Sequence, residues 1–306
     1  MTTPLRIGTR GSPLALWQAH AVAGLLERHG RASEICVIKT AGDRLQEAPL
    51  SDPRSKGLFV KEIEDALLGG AIDLAVHSAK DMSVTLPDGL TIAAVLPRED
   101  PRDALVLPGK PAALDLAGVR AVLGDEPSVG TGSLRRSAQL RGLLPRGRFG
   151  GVRGNVDTRL RKLDAGEFDA LVLAVAGLKR LGHGDRITLA LDVAHCVPAP
   201  CQGIVAIETR TAVPDELREI NDAAAEASFR AERALIAELG GGCQLPLGAL
   251  ALKAREWSFF LFVGALFVAA SAIGAGLQAM ARAATGQAES AVDHALDSII
   301  QQNDLP

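Results

Sequence analysis

The chain has 306 residues, 47% hydrophobic and 23% charged, close to an ordinary soluble enzyme with material for two or three domains. A formal net charge of −3 gives no reason to expect a nucleic-acid or anionic-membrane partner. Any anion site must come from local clustering of its 33 Lys and Arg.

In chain order, "LRIGTR" reads as a short strand ending in a Gly-Thr-Arg-Gly-Ser turn. "PLALWQAHAVAGLLERHG" then has helical spacing, with Pro13 suited to the first turn and Gly30 to the stop. "SEICVIKT" is a second strand, and "FVKEIEDALLGGA" a helix closed by Gly69 and Gly70. "IDLAVHSAKDM" is an apolar strand breaking into a polar loop, and "GLTIAAVLP" another strand. The Pro- and Asp-rich "DPRDALVLPG" marks a candidate boundary. A second cycle runs from "SVGTGSLRRSAQLRGLLP" through the helix "VDTRLRKLDAG" to "DALVLAVAGL", read as a buried strand. "PAPCQGIVAIETR" reads as a strand, "DELREINDAAAEASFRAERALIAEL" as one long helix, and "ESAVDHALDSIIQQ" as a last amphipathic helix. The alternation predicts parallel α/β architecture, and no tandem repeat stands out.

Four cysteines, at 36, 196, 201 and 243, form no CxxC pair and no zinc spacing, so no metal is expected. The amino terminus has no apolar core of the signal-peptide kind, so a cytoplasmic location with reduced thiols is expected. Residues 257–281 carry no charge, and the stretch is long enough to span a bilayer.

Ligands of open parallel sheets collect beyond the carboxyl ends of strands. Arg10 and Ser12 fall there after the first strand, and Ser78, Lys80 and Asp81 after "IDLAVH". Thr131 and Ser133 open a helix with Arg135 and Arg136 in its first turns, where unpaired N–H groups attract anions. Arg135, Arg136, Arg153, Arg159 and Arg180 each suit a solvated helix face. Together with Arg10, Lys56 and Lys80 they suit a cleft for a polyanion, since Arg makes forked bonds to carboxylates. Asp81 is read either as a helix-capping turn residue or as a carboxylate facing a developing cation. Cys243, in "GGGCQLPLG", is read as a small buried hydrophobe or, because three glycines precede it, as a nucleophile or attachment point.

Seven blocks in order, "IGTRGSPLALWQA", "GLFVKEIEDALLGGAIDLAVHSAKDM", "REDPRDALV", "VGTGSLRRSAQL", "RGNVDTRLRKLD", "LAVAGLKRLG" and "GGGCQLPLGA", closely resemble the porphobilinogen deaminase (hydroxymethylbilane synthase) family. The resemblance implies a cytoplasmic, monomeric transferase of tetrapyrrole biosynthesis. Such an enzyme joins four porphobilinogen molecules head to tail, releases ammonia each time and yields hydroxymethylbilane. It implies a dipyrromethane primer tied by a thioether to the residue matching Cys243, and Asp81 as the catalytic aspartate that also holds the primer. It further implies primer contacts at Ser12, Lys80, Thr131, Ser133, Arg135, Arg136 and Arg153. Substrate contacts are implied at Arg10, Lys56, Phe59, Arg159 and Arg180.

The implied fold is α/β in three domains: two periplasmic-binding-protein-like lobes, 1–103 with 198–213 and 104–197, and a small C-terminal α/β domain, 214–306. The sequence departs from the family at Cys201, where glycine is usual, at Ser83 after "KDM", at Gly132, and most of all at 257–281. That apolar stretch is read as a buried strand pair in preference to a membrane-spanning helix from Trp257 to Met280. The rival functions are a non-catalytic anion-binding module of the periplasmic-binding type and a membrane-anchored interaction protein. The first needs neither Asp81 nor Cys243, and the second leaves the basic blocks unexplained.

Overall fold

The computed structural model describes residues 3–40, 60–239, 247–253 and 259–264. Lys56, Phe59, Cys243 and the helix expected near the carboxyl end lie outside the described residues.

The strands are β1 (Leu5–Thr9), β2 (Ser33–Val37), β3 (Leu74–Ser78), β4 (Leu90–Val95), β5 (Asp103–Val106), β6 (Ser128–Gly130), β7 (Arg148–Gly150), β8 (Ala170–Ala174), β9 (Leu189–Ala190), β10 (Val205–Arg210), β11 (Gly248–Lys253) and β12 (Phe259–Gly264). The helices are α1 (Pro13–Arg28), α2 (Lys61–Leu68), α3 (Leu116–Leu123), α4 (Leu134–Leu140), α5 (Val156–Asp164), α6 (Val175–Arg180), α7 (Asp215–Glu219) and α8 (Ala223–Glu238). The chain divides into two units, Met1–Glu99 with Gly203–Ala227, and Asp100–Gln202 with Ser228–Pro306.

The first unit holds a five-stranded sheet of order β2-β1-β3-β10-β4. Strand β1 runs parallel to β2 and β3, while β10 is antiparallel to both β3 and β4. The inward alternation of β1 and β3 sets Ile7, Leu74 and Val76 against Val22 and Leu26 of α1. Helix α1 begins where the sequence indicates. Ser12 caps it, Pro13 fills the first turn, and Gly30 follows at φ +73°. Helix α2 packs Ile63 and Leu67 on the other layer, against Ile72 and Ala75. At Gly203, where β10 is approached, φ is +90° and an added Cβ would lie 2.2 Å from the Glu99 carbonyl oxygen. Only glycine fits that approach.

The second unit repeats this arrangement with a sheet of order β7-β6-β8-β5-β9. Strand β6 is parallel to β7 and β8, and β5 is antiparallel to β8 and β9. Its two layers are built on Leu105, Val129, Leu140 and Val172, and on Val106, Leu163, Leu171 and Leu178. Strands β11 and β12 form a separate antiparallel pair, from Gly248↔Gly264 to Lys253↔Phe259.

The α/β class is as expected, but both sheets are mixed rather than all-parallel. Antiparallel strands need no crossover helix, so alternation of elements does not reveal them. Three local readings are corrected. The change of unit falls between Glu99 and Asp100, at the start of the expected junction "DPRDALVLPG", but "DALV" within it is strand β5, fully buried in the second sheet. "DALVLAVAGL" divides into β8 and α6, because a continuous apolar run carries no period to separate strand from helix. The single long helix after β10 is two, α7 and α8, broken where the Asp222 carboxylate accepts the Ala225 N–H at 2.7 Å. Phe259–Gly264, inside the apolar segment, is strand, in agreement with the preferred reading over a membrane helix. The other residues of 257–281 lie outside the described residues. Among the described residues no helix is long and apolar enough to cross a membrane.

Candidate active site

In the first unit, the parallel strands β1 and β3 end on one edge, and the chain leaving each carries polar residues. Arg10 and Ser12 follow β1; Ser78 ends β3, and a single 3-10 turn, Ala79–Asp81, follows. Arg10, Ser12, Gln18, His77, Ser78 and Asp81 line a cleft of about 80 Å³ together with Leu14, Ala15, Val60 and Val76. Asp81 is exposed there, and Lys80 beside it is half-buried. The buried Gln18 amide donates to Ser78 Oγ at 2.9 Å, fixing one wall. His77 Nε2 lies 3.1 Å from Glu208 Oε2. Burial, then the charge of Glu208, pushes the neighbouring Glu64 carboxyl above its ordinary range.

In the second unit the equivalent edge lies beyond β6, β7 and β8. Thr131 follows β6, and its Oγ1 accepts the Ser133 N–H at 3.2 Å. Ser133 caps α4, which brings Arg135 and Arg136 into its first turn. These two arginines do not lie on a solvated face: they are 4% and 7% exposed. Both converge on Asp103, which is fully buried. Arg135 Nη1 donates to Asp103 Oδ2 at 2.7 Å and to the Val197 carbonyl at 2.6 Å. Arg136 Nε and Nη2 donate to Asp103 Oδ1 at 3.0 and 2.7 Å, and its Nη1 to the Val172 carbonyl at 3.0 Å. Gln202 Nε2 adds a bond to Asp103 Oδ1 at 2.9 Å. Burial opposes ionisation of Asp103, but the two guanidiniums outweigh it and hold the carboxyl well below the usual carboxylate range.

Arg153 follows β7 and is half-buried, and Arg180 closes α6 directly after β8. Arg159, in α5, donates from Nε to the Gly154 carbonyl at 2.8 Å. The expected set therefore falls into two groups. Arg10, Ser12, Lys80 and Asp81 belong to the first unit, and Thr131, Ser133, Arg135, Arg136, Arg153, Arg159 and Arg180 to the second. Sequence reasoning missed Asp103, Gln202, His77 and Gln18. Two consecutive arginines behind a helix cap were a signal for the first, because buried guanidiniums require a buried acceptor.

In each unit, guanidinium groups and a capping hydroxyl stand at the carboxyl edge of an α/β sheet, the pattern of a protein that binds anionic ligands. Family models match in two parts. "Porphobilinogen deaminase, dipyromethane cofactor binding domain" covers residues 5–218, and "Porphobilinogen deaminase, C-terminal domain" covers residues 227–289. The porphobilinogen deaminase of Roseiflexus castenholzii is 47% identical over 273 residues, 87% of this chain and 88% of that protein. That of Acidithiobacillus ferrooxidans is 50% identical over 258 residues, 82% of this chain and 81% of its own. The crystal structure of the second substrate binding domain of a putative amino acid ABC transporter from Streptococcus pneumoniae matches at 13% identity and a TM-score of 0.43. It covers 78% of this chain and 95% of that one, a likeness that says nothing about ligand or activity.

The chain belongs to the porphobilinogen deaminase family. Its activity is that of a porphobilinogen deaminase in tetrapyrrole biosynthesis, exercised with a dipyrromethane cofactor on porphobilinogen.

Proposed function

We propose that Asp81 is the catalytic group, and that four porphobilinogen molecules are joined on a primer held by a thioether to Cys243. When bound, the dipyrromethane supplies the pyrrole α-carbon at which the product chain grows. The residues present suit it. Its acetate and propionate groups need cationic and N–H donors, and its ring N–H groups need an acceptor. Ser12, Lys80, Thr131, Ser133, Arg135, Arg136 and Arg153 hold its carboxylates. Arg10, Lys56, Phe59, Arg159 and Arg180 receive the substrate.

Asp81 accepts hydrogen bonds from pyrrole N–H groups. It also stabilises the positive charge left on the substrate as ammonia departs. The same carboxylate takes up the proton released when the attacking ring regains aromaticity. The shared lining of one cleft by Arg10, Ser12 and Asp81 carries this reading, since it sets an anion-binding group and a carboxylate on one ligand surface. An exposed aspartate on a single turn also costs little in folding when replaced.

Three domains, 1–103 with 198–213, 104–197 and 214–306, and a cytoplasmic monomer complete the proposal. The test is Asp81→Asn combined with peptide mass analysis. The variant should keep its fold and its primer while turnover falls by about 10²–10³, the cost of one lost electrostatic group in the transition state. Wild-type turnover removes Asp81 from the mechanism, and a primer found on any peptide lacking Cys243 removes the anchor.

A further inference from the structure

We propose that Asp103 is a positioning residue that presents Arg135 to a ligand carboxylate. The inference rests on the reading that Arg135 binds such a group. Successive helix residues point roughly 100° apart and do not face one another. Arg135 and Arg136 nevertheless meet on one carboxylate, each taking a different oxygen. Arg135 is held through Nη1 alone, by Asp103 Oδ2, the Cys196 sulfur and the Val197 carbonyl. Among the described residues its Nε and Nη2 meet no acceptor, although the side chain is only 5% exposed. Those two N–H groups form the forked edge that matches a carboxylate.

Asp103 is itself clamped from the other side by Arg136 and Gln202, so its position is over-determined. Two guanidiniums and one carboxylate leave one net positive charge, which a single ligand carboxylate neutralises. A plain structural ion pair would bind Asp103 through the forked edge of Arg135 and leave no paired donors over. Here the fork is spared and the single amino group spent. Arg136, by contrast, commits Nε and Nη2 together to Asp103.

The experiment compares Asp103→Asn, Asp103→Glu and Arg135→Gln in the full-length protein. Intact mass of the folded, gel-filtered fraction gives the share carrying the primer, and steady-state assays give KM and kcat for porphobilinogen. Asp103→Asn should lower the primer-bearing share or raise KM by about tenfold, with kcat of the loaded fraction changed less than about threefold. Asp103→Glu, one methylene longer, should shift the same readouts in the same direction by less. A merely structural role would lower the melting temperature and leave the folded fraction loaded, with normal KM. That result for Asp103→Asn, beside an Arg135→Gln protein that loses primer or KM, overturns the positioning role alone. An Arg135→Gln protein with full primer and normal KM overturns the carboxylate reading beneath it. If Asp103→Asn does not fold, Asp103→Glu decides, and full loading with unchanged KM ends the proposal.

Discussion

Ser12 and Ser133 cap corresponding helices in the same way. Ser12 Oγ accepts the Ala15 N–H at 3.3 Å, and Ser133 Oγ accepts the Arg136 N–H at 3.4 Å. Each follows a strand, β1 or β6, that has a parallel neighbour on both sides. The preceding residues, "GTR" before Gly11-Ser12 and "GT" before Gly132-Ser133, are similar as well. Both units thus use one device: a serine that completes the helix start also stands at the edge where anions collect.

The caps are expected to contribute to folding apart from any ligand. Ser12→Ala and Ser133→Ala should each lower stability by about 1 kcal/mol, within the roughly 0.5–2 kcal/mol of lost N-caps. Urea unfolding of the two variants against wild type measures this. Unchanged midpoints would mean that the hydroxyls serve the ligand alone.

Cys201 has φ +60° and is 1% exposed, a left-handed conformation at a buried non-glycine residue. Its N–H donates to Glu232 Oε2, and the other oxygen of that fully buried carboxylate accepts the Ala251 N–H of β11 at 2.8 Å. Neighbouring elements therefore hold the strained backbone in place. Cys201→Gly and Cys201→Ala both lose the thiol, but only alanine keeps a Cβ. Cys201→Gly should be the more stable of the two by about 1 kcal/mol, the penalty an L-residue bears in this region. Equal unfolding midpoints would show that no strain resides there.

Arg6 binds Asp73 through its backbone N–H, Nε and Nη2, at 2.9, 3.0 and 2.8 Å. The Arg6 side-chain bonds, followed by its backbone bond and charge, lower the Asp73 carboxyl to about 2 against partial burial. A carboxyl lowered on folding stabilises the native state fully above its unfolded value of 3.8 and loses that contribution as pH falls through about 2. The wild-type urea midpoint should therefore decline between pH 4 and pH 2 more steeply than that of Arg6→Gln. Parallel acid limbs in the two proteins would contradict the linkage.

Much of the fold was legible because its signals are local. The Ser12-Pro13 start of α1, the Gly30 and Gly166 stops and the apolar strand β3 each follow from a few neighbouring residues. The polar residues beyond β1, β3 and β6 were legible for the same reason, since a strand that breaks into a Gly-, Ser- or Thr-rich turn announces a sheet edge. Strand β5 was not legible, because Asp103 inside "DALV" reads as a polar boundary until its two arginines are in place. The break between α7 and α8 was hidden by a helical pattern that continues across it, and is set by the capping of Asp222.

By itself the sequence determined the α/β class, the family, the first-unit elements and the residue types at the sheet edges, all encoded over a few residues at a time. Only the tertiary structure decided that β10 runs antiparallel between β3 and β4, and that Asp103 meets arginines 32 and 33 positions away. Strand direction and the partner of a buried charge depend on contacts between distant segments. Those contacts form only when the fold brings distant segments together, and burying the Asp103 charge is tolerated only because Arg135 and Arg136 are buried with it.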